Sequence, residues 1–191
     1  FSSKEYPKNK KIIFLYIGRI LYDKGISELI DAIKNLKKSF LNIEFSLLGA
    51  IGSKNISSIP LKVVRHWEDQ GIIKYLGFKK DVRPYIKKAN CIILPSYREG
   101  MPRSLLEAMS MSRPVIATNV EGCKELVKNG NNGFLCKVKN YKSLSNSIKK
   151  FLLLNNNKQK ILGQNGRKKI LEEYDEKYVI KKYLDILSIK Y

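Results

Sequence analysis

Short apolar runs alternate along this chain with longer stretches in which apolar residues recur every three or four positions. The apolar runs predict buried β-strands at residues 11–18, 43–49, 72–77, 91–95, 114–118 and 133–136. The stretch 25–38 has the helical pattern, with apolar positions at Ile26, Leu29, Ile30, Ile33 and Leu36. Further helices are predicted to end near residue 70 and to span 82–89, 102–111 and 122–128.

This alternation of strand and helix with short connections predicts an α/β fold. It is typical of a doubly wound, Rossmann-like parallel sheet with helices on both faces. Sheets of this kind bind ligands at the carboxyl ends of their strands. After residue 140 the pattern becomes all helical, and we expect residues 141–191 to form a helical tail of the same single domain.

Length and composition fit one globular domain with a core: 191 residues, of which 43% are hydrophobic. The first residues, FSSKEYPKNKK, lack an initial Met and resemble neither a signal nor a transit peptide, so we expect a piece of a longer protein. No apolar run approaches the roughly 20 residues of a membrane span. The three cysteines lack metal-ligand spacing, which predicts reduced, buried thiols in a cytosolic protein.

The formal net charge of +20 changes the list of possible partners. It suits an anionic membrane surface, nucleic acid or a phosphorylated small molecule. Because most of the excess is Lys spread along the whole chain, compositional bias explains it equally well. No known nucleic-acid recognition motif is present, so we do not expect a nucleic-acid partner.

The first candidate site is the loop GRILYDKG, between the first strand and its helix. Arg19 and Lys24 lie there, at the edge where a parallel sheet binds ligands. Arg presents a planar fork of donors and Lys a point charge, and together they can neutralise a diphosphate. Two solvated cations in a Lys-rich loop are an equally good interpretation of these residues alone.

The second candidate is SYREGMPRSLLEAM, in which Glu99 follows the predicted strand 91–95 and Glu107 lies on the next helix. The free N–H groups at the start of that helix, around residues 103–105, can hold a phosphate. Carboxylates repel phosphate and accept hydrogen bonds from hydroxyls, so the pattern suits a nucleotide-sugar. Alternatively, Glu107 pairs with Arg103 along the helix and Glu99 is an ordinary loop acid.

Three segments in order carry a family resemblance: YIGRILYDKGISELIDAI, YLGFKKDVRPYIKKANCIILPS and SYREGMPRSLLEAMSMSRPVIATNVEGCKELVKNGNNGF. They resemble the donor-binding half of family 4 glycosyltransferases, which have the GT-B fold. Within that family they are similar to bacterial enzymes of capsule, lipopolysaccharide or lipid-linked oligosaccharide synthesis. The resemblance implies that residues 1–191 are the C-terminal, donor-binding half of a larger enzyme, whose N-terminal acceptor domain is absent here.

The resemblance also implies roles for individual residues. It assigns diphosphate stabilisation to Arg19 and Lys24, and contact with the transferred sugar to Glu99. It assigns donor binding to Gly18, Phe78, Lys79, Gly100, Met101, Ser104, Leu105 and Glu107, with Glu107 taking the ribose hydroxyls and Phe78 and Lys79 near the base. Ser112 departs from the family pattern, which commonly has Gly there, so the local backbone is in question.

The expected function is therefore a retaining glycosyltransferase of the hexosyltransferase type. It would move a sugar from a nucleoside-diphosphate-sugar, expected to be a UDP-sugar, to a glycan or polyprenyl-linked acceptor. No cofactor and no metal are expected, and the enzyme would work in the cytoplasm, peripherally at the inner face of the membrane. This fragment alone would bind donor and transfer nothing. A sugar-nucleotide epimerase of the same fold and a non-catalytic nucleotide-binding domain remain alternatives.

Overall fold

The computed structural model describes residues 1–52 and 55–187, except for the side chains of Val179 and Lys182. Six strands form one sheet: β1 (Ile12–Ile17), β2 (Ile43–Leu48), β3 (Lys74–Tyr75), β4 (Cys91–Leu94), β5 (Val115–Thr118) and β6 (Gly133–Cys136). Their order across the sheet is β3-β2-β1-β4-β5-β6, and every neighbouring pair is parallel. The predicted doubly wound α/β sheet is confirmed.

The helices follow the strands as the sequence pattern predicts. A short 3-10 turn, Tyr22–Lys24, precedes the first helix. The α-helices are α1 (Ile26–Lys37), α2 (Leu61–Asp69), α3 (Arg83–Lys88), α4 (Arg103–Ser110), α5 (Glu121–Leu126), α6 (Tyr141–Leu152), α7 (Asn156–Glu173) and α8 (Glu176–Ile186).

The strand order reverses at β1, and this reversal places helices on both faces of the sheet. From β1 the chain moves outward through β2 and β3, then returns to lay β4 on the other side of β1. Because parallel crossovers are right-handed, the helices that connect strands before this return and those that connect strands after it cover opposite faces. The rule does not apply to α6, which follows the last strand. One face has α1 packed against α6, and the other has α4 packed against α7. The reversal also opens a crevice between the carboxyl ends of β1 and β4.

The edge strand β3 is shorter than the predicted 72–77. Only Lys74 and Tyr75 pair with β2, although Ile72 and Ile73 are buried as predicted. The backbone around them bonds to α2 instead: the Ile72 N–H donates to the Trp67 carbonyl at 2.9 Å. The Tyr75 N–H donates to the Glu68 carboxylate at 2.8 Å. These bonds join the edge strand to the preceding helix.

Two of the three helices after residue 140 belong to the layers of the domain. On α6, Phe151 meets Phe14 of β1 edge to face, with ring centroids 5.7 Å apart. On α7, a Cβ at Gly163 would lie 2.1 Å from the Ser112 carbonyl oxygen, so only glycine allows α7 to approach the end of α4. The more peripheral α8 exposes Tyr178, Tyr183 and Ile186. Residues 188–191 of the predicted tail lie outside the described part of the chain.

A buried arginine joins the first residues of the chain to this core. The Arg113 guanidinium is fully buried and its burial lowers its pKa to about 10. It donates to backbone carbonyls of Lys4 at 3.1 Å and Glu5 at 2.7 Å, and to others at the end of α3. The preceding Ser112 has φ 59°, a left-handed conformation that favours glycine. A left-handed conformation accounts for a preference for glycine at this position, and the Ser112 hydroxyl lies 2.7 Å from that of Ser3.

Several smaller features of the sequence have a clear place in the structure. All three cysteines are buried and free, as expected. Trp67 packs against the core, and His66 is exposed on α2 away from the cavity described below. Within residues 1–52 and 55–187, no helix has the length and apolar character needed to cross a membrane.

Candidate functional site

A cavity of about 270 Å³ lies at the carboxyl ends of β1 and β4, where the strand order reverses. Its wall comes from the end of β1, the Lys24 loop, the loop after β4 and the first turns of α4. The lining residues are Tyr16, Ile17, Gly18, Lys24, Leu94, Glu99, Met101, Pro102, Arg103, Ser104 and Glu107. The predicted sheet edge is therefore the edge that carries the cavity.

Backbone hydrogen bonds hold the loop that carries Glu99. The Tyr97 N–H donates to the Asp23 carbonyl at 2.9 Å, which joins this loop to the 3-10 turn that ends at Lys24. The Gly122 N–H donates to the Glu99 carbonyl at 3.1 Å, which joins the loop to the start of α5. Glu99 is therefore held between two neighbouring elements of the fold.

Two glycines permit these close approaches. A Cβ at Gly25, whose φ is 70°, would lie 2.0 Å from the Pro95 carbonyl oxygen. A Cβ at Gly122 would lie 1.7 Å from the Gly100 carbonyl oxygen. Any other residue at either position would displace the Glu99 loop.

Lys24 and Glu99 meet directly in the cavity. The Lys24 Nζ lies 2.6 Å from the Glu99 Oε1, and the two side chains are 20% and 14% exposed. Lys24 is therefore a partly buried, paired cation rather than a solvated loop cation. Likewise, Glu99 is a partner in the site rather than an ordinary loop acid.

Glu107 lies one turn into α4 and faces the same cavity. Burial raises the pKa of its carboxyl, and the nearby Arg103 and the N-terminal amine only partly oppose that rise. Among the described residues, Glu107 forms no ion pair, so the alternative pairing with Arg103 is not observed. A half-buried carboxylate without a partner is suited to accept hydrogen bonds from ligand hydroxyls.

The start of α4 offers backbone donors to the cavity. Within the part of the chain that the structure describes, the N–H groups of Gly100, Met101, Arg103 and Ser104 have no hydrogen-bond acceptor. The Leu105 N–H instead donates to the Pro102 carbonyl at 3.0 Å, and the Leu105 side chain is buried. Donors at a helix start attract anions, and here Arg103 and Ser104 are better placed to supply them than the predicted Leu105.

Five residues assigned by the resemblance are not among those that line the cavity: Arg19, Phe78, Lys79, Gly100 and Leu105. The Arg19 side chain is exposed at the end of β1, one residue beyond Gly18. Phe78 is 69% exposed and Lys79 is also exposed, both after the sheet-edge residue Gly77. Backbone bonds join the ends of these strands across the sheet: the Gly18 N–H donates to the Leu48 carbonyl at 3.0 Å, and the Gly49 N–H donates to the Gly77 carbonyl at 3.0 Å.

Two tyrosines near the cavity were not singled out from the sequence: Tyr16 in its wall, and Tyr97, which joins the Glu99 loop to α1. The Tyr16 hydroxyl donates to the Arg19 carbonyl at 2.7 Å, and burial raises its pKa. Tyr16 could have been found as a strand residue two positions before Gly18. The Tyr97 hydroxyl donates to Glu28 of α1 at 2.7 Å, a contact between distant segments that no local pattern indicates.

Taken together, the cavity presents a cation and free N–H groups for an anion, and two carboxylates for hydroxyls. Such a set of groups can hold a phosphorylated sugar or a nucleotide. Among the described residues, no cluster of three His, Cys, Asp or Glu side chains could hold a metal ion.

Comparison with known proteins gives a family match. The family model described as "Glycosyl transferases group 1" matches residues 1–169. A Campylobacter jejuni protein, N,N'-diacetylbacillosaminyl-diphospho-undecaprenol alpha-1,3-N-acetylgalactosaminyltransferase, is 33% identical over 75% of this chain and 36% of its own length. The capsular polysaccharide biosynthesis glycosyltransferase CapM of Staphylococcus aureus is 29% identical over 75% of this chain and 37% of its own length. The chain thus spans little more than a third of the length of these relatives.

A solved structure shows the same fold. HepE of Anabaena in complex with UDP superposes with a TM-score of 0.82 and 23% identity. The match covers 94% of this chain and 49% of HepE. The predicted relation to one half of a GT-B glycosyltransferase agrees with this coverage.

Proposed function

The chain belongs to the family of group 1 glycosyl transferases, and we propose that it is the donor-binding part of a retaining glycosyltransferase. The donor is a nucleoside-diphosphate-sugar, and the acceptor is a glycan or a polyprenyl-linked sugar. The observation that carries this proposal is the cavity where the strand order reverses, with Lys24 and Glu99 paired in its wall and Glu107 facing it. No other described cavity combines these groups with the free N–H groups of a helix start.

The parts of the cavity suit the parts of a donor. The N–H groups of Arg103 and Ser104, together with Lys24, take the diphosphate. Glu107, one turn along α4, accepts from the ribose hydroxyls. Glu99 and the N–H groups of Gly100 and Met101 face the transferred sugar.

The same groups support the chemical step. When the sugar leaves, negative charge develops on the nucleoside diphosphate. Fixed donors aimed at that charge stabilise it more in the transition state than in the ground state, which lowers the barrier. Lys24 and the α4 start lie in the cavity wall, and Arg19 is one loop residue from it. These cations carry the step without a metal, so chelators will leave transfer unaffected.

The choice of UDP and of a lipid-linked acceptor rests on the relatives. HepE holds UDP in its solved structure, and the Campylobacter jejuni relative is named for a diphospho-undecaprenol acceptor. The net charge of +20 supports work at an anionic membrane surface, where such an acceptor resides. We therefore place the enzyme in the cytoplasm, peripherally at the inner face of the membrane.

Transfer needs a second domain in this proposal. Holding donor and acceptor together contributes roughly 7–11 kcal/mol of a barrier, and the acceptor site belongs to the other half of the enzyme. Purified residues 1–191 will therefore bind UDP and give no product from UDP-sugars and lipid-linked acceptors. Product from this chain alone would show that the acceptor site and all reacting groups lie within it.

The whole enzyme is tested with labelled UDP-sugars and a membrane extract. The proposal predicts a labelled glycan or lipid-linked product whose yield EDTA leaves unchanged. Conversion of the labelled sugar to its epimer, with no acceptor product, would instead identify an epimerase. Binding of UDP with no turnover of any donor would indicate a nucleotide-binding domain without catalysis.

A further inference from the structure

The contact between Lys24 and Glu99 couples the cation of the cavity to one of its carboxylates. The two atoms are 2.6 Å apart, and both side chains are largely shielded from solvent. Glu99 accepts no other hydrogen bond from the described side chains, and Lys24 donates none elsewhere. In the ligand-free protein, the positive charge of Lys24 is therefore already matched by Glu99.

An anion that reaches Lys24 must lie close to the Glu99 carboxylate. An ammonium group directs its donors about 110° apart, so two oxygens bound to one Nζ at hydrogen-bond distance lie roughly 4.5 Å from each other. Like charges at that separation oppose each other when solvent is largely excluded. Lys24 can bind the Glu99 carboxylate and an anion together, but the anion then binds against repulsion from that carboxylate.

A nucleoside diphosphate and its sugar ester differ in how strongly the Glu99 carboxylate repels them. The terminal phosphate of UDP has a second ionisation near pH 6, so at pH 7 it carries close to one more negative charge than the same phosphate esterified to a sugar. The sugar also brings hydroxyl donors to a carboxylate that can only accept. Free UDP brings the additional phosphate charge near Glu99 and has no sugar hydroxyl to donate to it.

Building on the proposed donor site, we propose that Glu99 makes the cavity discriminate against the free nucleoside diphosphate. With sugar-donor bound, Glu99 accepts from sugar hydroxyls while Lys24 spans the carboxylate and the diphosphate. After the sugar has left, Glu99 faces the more highly charged product without a donor from it. Glu99 thereby weakens product binding relative to donor binding and promotes release of the nucleotide.

The test is a calorimetric comparison of UDP and UDP-glucose binding to this chain. Glu99→Gln removes the carboxylate charge and keeps the shape, so UDP is expected to bind about fivefold tighter, the upper end for one partly exposed ion pair. UDP-glucose, which loses a charged acceptor for its hydroxyls, is expected to bind equally or more weakly. The ratio of the two dissociation constants therefore shifts in favour of UDP.

The matched control is Glu121→Gln. It makes the same charge change at the start of α5, on a side chain that is 76% exposed and paired with Lys124. It is expected to leave the ratio unchanged, since Glu121 does not line the cavity. If Glu99→Gln does not fold, Glu99→Ser carries the same comparison, and thermal melting verifies each variant.

The outcomes separate this inference from the proposed function. If the unaltered chain binds UDP and Glu99→Gln leaves UDP binding unchanged or weakens it, the discrimination is wrong while the donor site stands. If the unaltered chain binds neither UDP nor UDP-glucose, and other nucleotide-sugars also fail, both proposals are wrong. An equal shift in the Glu121→Gln control would reduce the effect to net charge and overturn the assigned role of Glu99.

Discussion

The packing of Gly122 against the Glu99 loop gives a prediction that depends on the structure alone. Gly122 lies in the first turn of α5, and its N–H donates to the Glu99 carbonyl. A Cβ at this position would lie 1.7 Å from the Gly100 carbonyl oxygen and 2.8 Å from that of Glu99. Because both atoms belong to backbone, a side-chain rotation cannot relieve the clash. Gly122→Ala must therefore move the loop, the helix or both.

Two opposing effects set the size of the change. Overpacking a tight contact costs on the order of 3 kcal/mol when backbone must shift. Alanine in a helix recovers at most about 1 kcal/mol relative to glycine. The net loss in the free energy of unfolding is thus about 2 kcal/mol, which for a domain of this size lowers the melting temperature by roughly 4 to 8 °C.

Differential scanning calorimetry of Gly122→Ala measures this change. Gly100→Ala is the control, because a Cβ at Gly100 would meet no atom within 4 Å. We expect the control to melt close to the unaltered chain. If Gly122→Ala also melts within about 1 °C of it, the close contact that holds the Glu99 loop is not present in solution, and the account of how the site is positioned is wrong.

The remaining predictions concern charge. Glu107→Gln should weaken UDP binding and raise the melting temperature at pH 7. Burial raises the pKa of the folded Glu107 carboxyl, so this carboxyl contributes stability at low pH that is lost as the pH rises through the raised pKa. The variant, which cannot ionise, avoids that loss at pH 7. That gain should vanish at pH 4, and a gain at pH 4 as large as at pH 7 would contradict the assigned burial cost. Arg19→Ala should weaken UDP binding in EDTA by about tenfold or more, whereas Arg83→Ala, an exposed arginine paired with Asp81, should not; equal affinities would remove Arg19 from the diphosphate site. The chain should sediment with anionic vesicles at low salt and be released by added salt, since each Lys or Arg near such a surface contributes about 1 kcal/mol; absence of binding at low salt would leave compositional bias as the explanation of the charge.

Much of the fold follows from local sequence patterns. The buried strands are continuous apolar runs, and the helices carry apolar residues at regular spacing, so both kinds of element could be predicted before the structure. The position of the cavity followed as well, because the carboxyl ends of parallel strands share one edge. Gly18, Lys24, Glu99, Met101, Ser104 and Glu107 are brought together there.

What local pattern could not show are contacts between distant segments. Lys24 and Glu99 are 75 positions apart, and their direct pairing depends on how two loops meet. It extends one expectation, since the resemblance assigns Glu99 to the transferred sugar and does not indicate its contact with the cation Lys24. The Arg113 contacts to Lys4 and Glu5 likewise depend on neighbours that are remote in sequence.

The location of the nucleotide can be measured directly from the methionine methyl groups. The chain has three methionines; Met101 lines the cavity and is 49% exposed, whereas Met109 and Met111 are buried in the core. In a chain labelled with ¹³C-methyl methionine, and with the Met101 signal assigned through Met101→Leu, UDP in EDTA should shift the Met101 resonance saturably and leave those of Met109 and Met111 nearly in place. A Met101 resonance that stays unchanged at saturating UDP, or a shift confined to the two buried methyl groups, would contradict a donor site between β1 and β4.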